Sequence, residues 1–150
     1  MRAAPHDGAE MKIDQKQYDS VLSLAAALVV AVESDNEKDY SYHYAQLELL
    51  CEQARKSNTA HPFLLESLGD FTLVDEEAID IYQEALDLAE KLKLPVYNSS
   101  LQLAIAERYR ELGDCEAALS YASEAQRNLT DVCEQGLREE LAEFKQSLRD

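Results

Sequence analysis

The chain has no tryptophan, four glycines, three prolines, three cysteines and three histidines in its 150 residues. So few glycines and prolines, with abundant Ala, Leu and Glu, favour an all-helical chain. No β-branched run alternates in the way a half-buried strand requires. Cys51, Cys115 and Cys133 are odd in number and scattered. Without a Cys-x-x-Cys pair, neither a zinc knuckle nor a thioredoxin-like site is supported. The three read as reduced, small core residues of a cytoplasmic protein. His6, His43 and His61 are too sparse for a metal site. Basic residues are scarce as well: 14 Lys and Arg stand against 30 Asp and Glu, a formal charge of −16. Nucleic acid, which needs clustered Lys and Arg for its phosphates, is therefore not an expected partner. A basic protein or peptide fits better, with simple solubility as the bland alternative. The longest apolar stretch, Val21 to Val32, falls short of the roughly 20 residues of a membrane span, so no membrane is expected. No Gly-rich phosphate loop, Gly-x-Ser-x-Gly elbow, His-Glu-x-x-His pair or calcium loop appears, so no enzyme, metal or cofactor is expected.

What the chain does contain is helical periodicity. Leu101, Ile105, Tyr109 and Leu112 recur at the spacing of one inward helix face. Gly113 then supplies the left-handed backbone that ends a helix, and Asp114 can cap the next one. In that next helix Ala118, Leu119, Ala122 and Ala125 share a side, where small residues let two backbones approach closely. An antiparallel helix pair results. Further upstream, Pro62 opens a short helix through Phe63, Leu64, Leu65, Leu68 and Phe71. Asp75 is expected to cap a fourth helix, reinforced by Glu76 and Glu77, that continues to Lys93 before Pro95 forces a new start. Ala78 lies forty residues before Ala118, and Ala85 forty before Ala125.

These two units resemble the tetratricopeptide repeats, whose first helix carries Leu-Gly then Tyr and whose second carries Ala, an aromatic and Ala. Leu68-Gly69 and Ile105-Ala106 stand at the Leu-Gly pair, and Tyr109 at the tyrosine. Ala78, Tyr82 and Ala85 match the second-helix triplet, and Ala118 and Ala125 match it around a departure, Ala122. Gln102 and Thr130 replace the usual tryptophan and proline. Gly69 to Ala78 spans nine residues where the family has twelve, so the first unit is shortened.

The expected architecture is all-α: about seven helices stacked as antiparallel hairpins with a C-terminal capping helix. Residues 1–12 read as a disordered lead, with Met11 as an alternative start, and 13–150 as one helical domain. The recognisable repeats cover about 62–93 and 96–130, and the cap 131–149. The first helix runs from Asp14 to Glu33, either buried on most sides or left with a second face for a homodimer seam. The second runs from Glu37 to Lys56 with Tyr40, Tyr44, Leu47, Leu50, Cys51 and Ala54 inward. The last starts near Asp131, with Glu134 in a capping box and a stripe of Cys133, Leu137, Leu141, Phe144 and Leu148.

By resemblance, the first helix of each repeat lines a concave groove that holds a peptide or partner segment. Carried across, that groove comprises Phe63, Glu66 and Asp70 in the shortened unit and Ser100, Leu103, Glu107 and Arg110 in the other. Asp80, Glu84 and Asp87 form an acidic face on the fourth helix, at a spacing where like charges cost a few tenths of a kcal/mol per pair. The expected role is a non-enzymatic protein-interaction module: adaptor, co-chaperone or assembly factor. An acidic inhibitor or immunity-type protein that neutralises a basic partner, and a protein self-associating through Val21–Val32, are the alternatives.

Overall fold

The computed structural model describes residues 13–129 and 135–149, which hold seven α-helices and no strand. They are α1 (Gln15–Glu33), α2 (Glu37–Lys56), α3 (Pro62–Phe71), α4 (Asp75–Lys91), α5 (Asn98–Glu111), α6 (Cys115–Arg127) and α7 (Gln135–Arg149). A single 3₁₀ turn, Pro95–Tyr97, leads into α5. Three consecutive pairs, α1 with α2, α3 with α4 and α5 with α6, pack as antiparallel hairpins, and α7 lies against α5 and α6.

Four of the turns are closed by the same local device. After α1, α2, α4 and α5 one residue adopts a left-handed backbone: Asp35, Asn58, Lys93 and Gly113, with φ of 53°, 56°, 58° and 81°. The N–H one residue further on bonds back across the last turn, as in Asn36 to Ala31 O at 2.8 Å and Asp114 to Tyr109 O at 2.9 Å. This satisfies carbonyls that a helix end leaves without partners. Lys93 therefore lies beyond the fourth helix, which ends at Lys91, not within it as its sequence implied. Asp14 caps α1 by accepting from Gln17 N at 3.2 Å, and Asp114 caps α6 from Ala117 N at 3.0 Å. Asp75 is not the cap expected of it. Val74 holds that position without a side-chain bond, and Asp75 is the first helical residue.

Two apolar clusters share α5. Leu101, Ala104 and Ile105 belong to the larger one, with residues from α1 to α4; Leu103 and Ala106 turn to the other, with Ala118, Ala122, Ala125, Leu141 and Phe144. Ala78, Ala85, Ala118 and Ala125, the forty-residue pairs, all have no exposed surface. In the α3–α4 hairpin Gly69 meets Tyr82: a Cβ placed there would stand 2.5 Å from the ring's Cε1. In the α5–α6 hairpin, Ala106 and Ala122 share the inner cluster as two small residues. A missing methyl group thus makes room for an aromatic ring in one hairpin only.

Several expected core positions are open. Leu112, which caps the end of α5, and Leu119, on the flank of the buried Ala118–Ala122–Ala125 stripe, are 41% and 43% exposed. Cys115, the first residue of α6, is exposed, whereas Cys51 is buried under α3 and donates to Leu64 O at 3.5 Å. Cys133, Asp131 and Glu134 lie outside the described residues, as does the lead at 1–12. Nor is α1 buried on most sides. Val21, Ala25, Leu28 and Ala31 face inward, while Leu22, Val29, Val30 and Val32 are open to solvent. Only one face of a helix that packs on α2 and α3 can be covered.

Gly69→Ala is expected to lower stability by up to about 2 kcal/mol, with overpacking of about 1–3 kcal/mol set against a helix-propensity gain of about 1 kcal/mol. Adding Tyr82→Leu should recover part of the loss. Urea titration of the single and double variants measures both.

Candidate functional site: an acidic cleft at the end of the third helix

The α3–α4 turn is the exception among the turns. Thr72 and Val74 are extended, with ψ of 121° and 118°, and no residue there is left-handed. Gly69 O accepts the Thr72 N–H at 3.1 Å, and side chains supply the other partners at the end of α3. Thr72 Oγ1 donates to Leu68 O at 2.8 Å, and the Tyr40 hydroxyl of α2 donates to Phe71 O. Arg108 of α5 donates from Nη2 to Gly69 O at 3.0 Å, with a longer 3.5 Å contact to Asp70 O. Its Nη1 reaches Asp75 Oδ1 at 3.1 Å. Because Thr72 gives its hydroxyl proton to Leu68, Tyr44 must be the donor in the 2.7 Å bond between its hydroxyl and Thr72 Oγ1. All four terminal carbonyls of α3 are thus capped by side chains, two of them borrowed from other hairpins. A cation at the carbonyl end of one helix and a carboxylate in the first turn of the next also suit both helix dipoles.

Beside this junction opens a cleft of about 590 Å³. Its walls are Asp70, Asp75 and Tyr82 on the α3–α4 hairpin, Ala104, Glu107, Arg108, Arg110 and Glu111 on α5, and Glu140 on α7. Five carboxylates share it with two guanidinium groups, and Arg108 is turned inward onto Asp75 and the α3 carbonyls. The Tyr82 hydroxyl donates to Asp70 Oδ1 at 2.7 Å. Arg110 lies over the Phe144 ring, 4.7 Å from its centroid, and donates to Ser147 Oγ at 3.2 Å, which fixes α7 against the cleft. Among the described residues, no group of three or more His, Cys, Asp or Glu could hold a metal ion.

No family model, no curated protein and no solved structure matches this chain. Its site must be read from its own residues.

Of the seven expected groove residues, three converge on the cleft: Asp70, Glu107 and Arg110. The others lie elsewhere. Phe63 is 1% exposed and packs on Tyr18, with ring centroids 5.2 Å apart, because α1 covers that face of α3. Leu103 has no exposed surface, being in the cluster that α7 closes. Glu66 is buried and accepts a hydrogen bond from Ser100 Oγ, so this pair joins α3 to α5 instead of facing a ligand. The expected apolar anchors are therefore core residues, and the cleft is polar. Asp80, Glu84 and Asp87 are all exposed, but Arg55 binds Glu84 through two bonds of 2.9 and 2.8 Å. The acidic face is interrupted at its centre. Arg108, Asp75 and Glu140 were missed as cleft residues; the signal was Arg108 itself, one of few cations in an acidic chain.

Burial raises the pKa of Tyr40, Tyr44 and Tyr82 above the ordinary 10.0; Tyr44 adds to the effect on Tyr40, and Asp70 to that on Tyr82. These phenols hold their protons more tightly folded than unfolded. Their contribution is complete below about pH 10 and fades as the pH climbs through the raised values. Burial likewise pushes the Cys51 thiol up to about 12, so its loss begins earlier, from about pH 9 upward. The protein should unfold in alkali, and Tyr82→Phe should flatten the decline of its melting temperature above about pH 10.

Arg108→Met keeps the stem but takes the charged donor away from Gly69 O, Asp70 O and Asp75, an expected loss of about 1.5–3 kcal/mol. Arg55→Met, which breaks an ion pair with 31% and 45% side-chain exposure, should cost less than about 1 kcal/mol. Chemical denaturation of the two variants tests that ordering.

Proposed function

We propose that this chain is a diverged tetratricopeptide-like protein-interaction module, non-enzymatic, that takes a basic segment of a partner protein in the α3–α5 cleft. The observation that carries this reading is the convergence of Asp70, Glu107 and Arg110, with Asp75, Glu111 and Glu140, on one concavity of about 590 Å³. The repeat resemblance is supported by the two hairpins that bury their alanines forty residues apart. Since Phe63 and Leu103 are core residues, charge does the recognition in this cleft, which steers encounter and makes affinity sensitive to salt. Adaptors, assembly factors and acidic inhibitors of basic proteins all fit that chemistry, at a cytoplasmic location. Among the described residues no helix is long and apolar enough to cross a membrane.

The open side of α1 favours a second reading, a homodimer seam. Leu22, Val29 and Val30 are 40%, 45% and 61% exposed at helical spacing around Ala26. The charge of −16 on each copy works against it.

A fluorescent octa-arginine peptide tests the cleft. Its affinity for the native protein should fall steeply as salt rises from about 50 to 200 mM. Glu107→Lys with Glu111→Lys should weaken binding about tenfold or more, whereas Asp80→Lys with Asp87→Lys on α4 should weaken it far less. Equal losses from the two pairs would show a diffuse charge effect and remove the cleft from consideration.

A further inference from the structure

The extended α3–α4 turn has a second consequence. Without a left-handed residue to fold it back, it thrusts Leu73 outward, and that side chain is 77% exposed. Opposite stands Val32 at the end of α1, 62% exposed. The two line one cleft of about 420 Å³ with Ala31 and Tyr40. Tyr40's hydroxyl is committed to Phe71 O, so its ring is what remains to face a ligand. Asp35 and Glu37 stand at the edge of this cleft. A lone exposed leucine is ordinary. Here two branched aliphatic side chains from separate hairpins meet across an aromatic ring, on a turn held by Thr72, Tyr40 and Arg108.

The acidic cleft begins at the same turn, whose flanking residues Asp70 and Asp75 line it. Leu73 is three residues from Asp70 and two from Asp75, within about 11 Å along the chain at the length of an extended residue. An extended strand of about four to six residues therefore spans from the aliphatic cleft into the acidic one.

We propose that the partner segment carries a large aliphatic or aromatic side chain, seated between Val32 and Leu73, followed about three to five residues away by Arg or Lys set against Asp75 and Glu107. This deepens the cleft reading and rests on it. Charge selects the occupant. A second copy of this chain would bring carboxylates against Asp35 and Glu37, and an anionic membrane surface would be repelled in the same way. A cationic segment is attracted at both ends of the track. The fixed turn also spares the site the ordering cost of a loose loop.

Three synthetic peptides test this by fluorescence anisotropy: one with an Arg-Arg pair in a Gly/Ser background, one with a single leucine in that background, and one with the leucine four residues before the Arg-Arg pair. The combined peptide should bind about tenfold more tightly than the arginine peptide, the gain from burying most of one leucine side chain. Leu73→Ser should erase that gain, leave binding of the arginine peptide unchanged and leave the melting temperature unchanged, because the side chain supports no packing. Val32→Ser should act in the same direction. Retention of the gain in Leu73→Ser overturns the proposal. So does a combined peptide no tighter than the arginine peptide, although a Glu107- and Glu111-dependent arginine signal would then leave the cleft reading standing. If none of the peptides binds, both readings fall. Sedimentation is the last arm: a concentration-dependent dimer that Leu73→Ser dissolves would assign the aliphatic cleft to a second copy and overturn the proposal.

Discussion

Arg108 makes one guanidinium serve three helices. It projects from α5, satisfies a carbonyl at the end of α3 and holds the carboxylate in the first turn of α4. The need for it comes from the backbone. A helix end must place its last carbonyls somewhere, and the other hairpin turns do so with a left-handed residue and a returning N–H. At Thr72–Val74 the chain stays extended, and side chains from α2 and α5 take over. The direction of the turn, the exposure of Leu73 and the inner wall of the acidic cleft all follow from this substitution. The stack is joined at α3 by polar bonds as well as by packing, since Ser100 reaches Glu66 two turns earlier on the same face.

The scarce cations are placed economically. Arg55 ties α2 to α4 through Glu84, Arg108 joins the α3–α4 hairpin to α5, and Arg110 joins α5 to α7 across Phe144 and Ser147. Each links elements that are distant in sequence. The other basic residues, Lys16, Lys38, Lys56, Lys91, Lys93 and Arg127 among them, are exposed but outnumbered by carboxylates, so the negative excess lies where solvent or a partner meets it. This is why a chain of −16 can place three arginines at helix junctions and still offer a predominantly acidic cleft.

Much of the fold was legible in the chain. Gly113 and Asp114 announced their turn, Pro62 its helix start, and the alanines forty residues apart the two hairpins. Those signals are local: a backbone preference, a cap, a period. The groove was only half legible for a related reason. Helical spacing says which residues share a face but not which neighbour covers it. Phe63 faces α1 and Leu103 faces the cluster closed by α7, so both became core, while Asp70, Glu107 and Arg110 kept a common opening. Leu112 stands where α5 ends, and Leu119 stands on the flank of the alanine stripe, so neither is covered as its spacing implied. The shortened spacing from Gly69 to Ala78 was visible. That Arg108 would supply what the shortened turn lacks was not, because it depends on how α5 docks.

The borrowed capping of α3 also has an order in time. A ribosome releases Pro62–Phe71 well before Arg108 emerges, so Thr72 and Tyr40 can cap that helix end early while the Asp70 carbonyl and the Asp75 carboxylate wait for the third hairpin. The turns after α1 and α2 can close as soon as they are made. Completion of the first recognisable unit is thus written into the second, and truncating the gene before α5 would yield a nascent chain whose middle helix lacks its finishing residue.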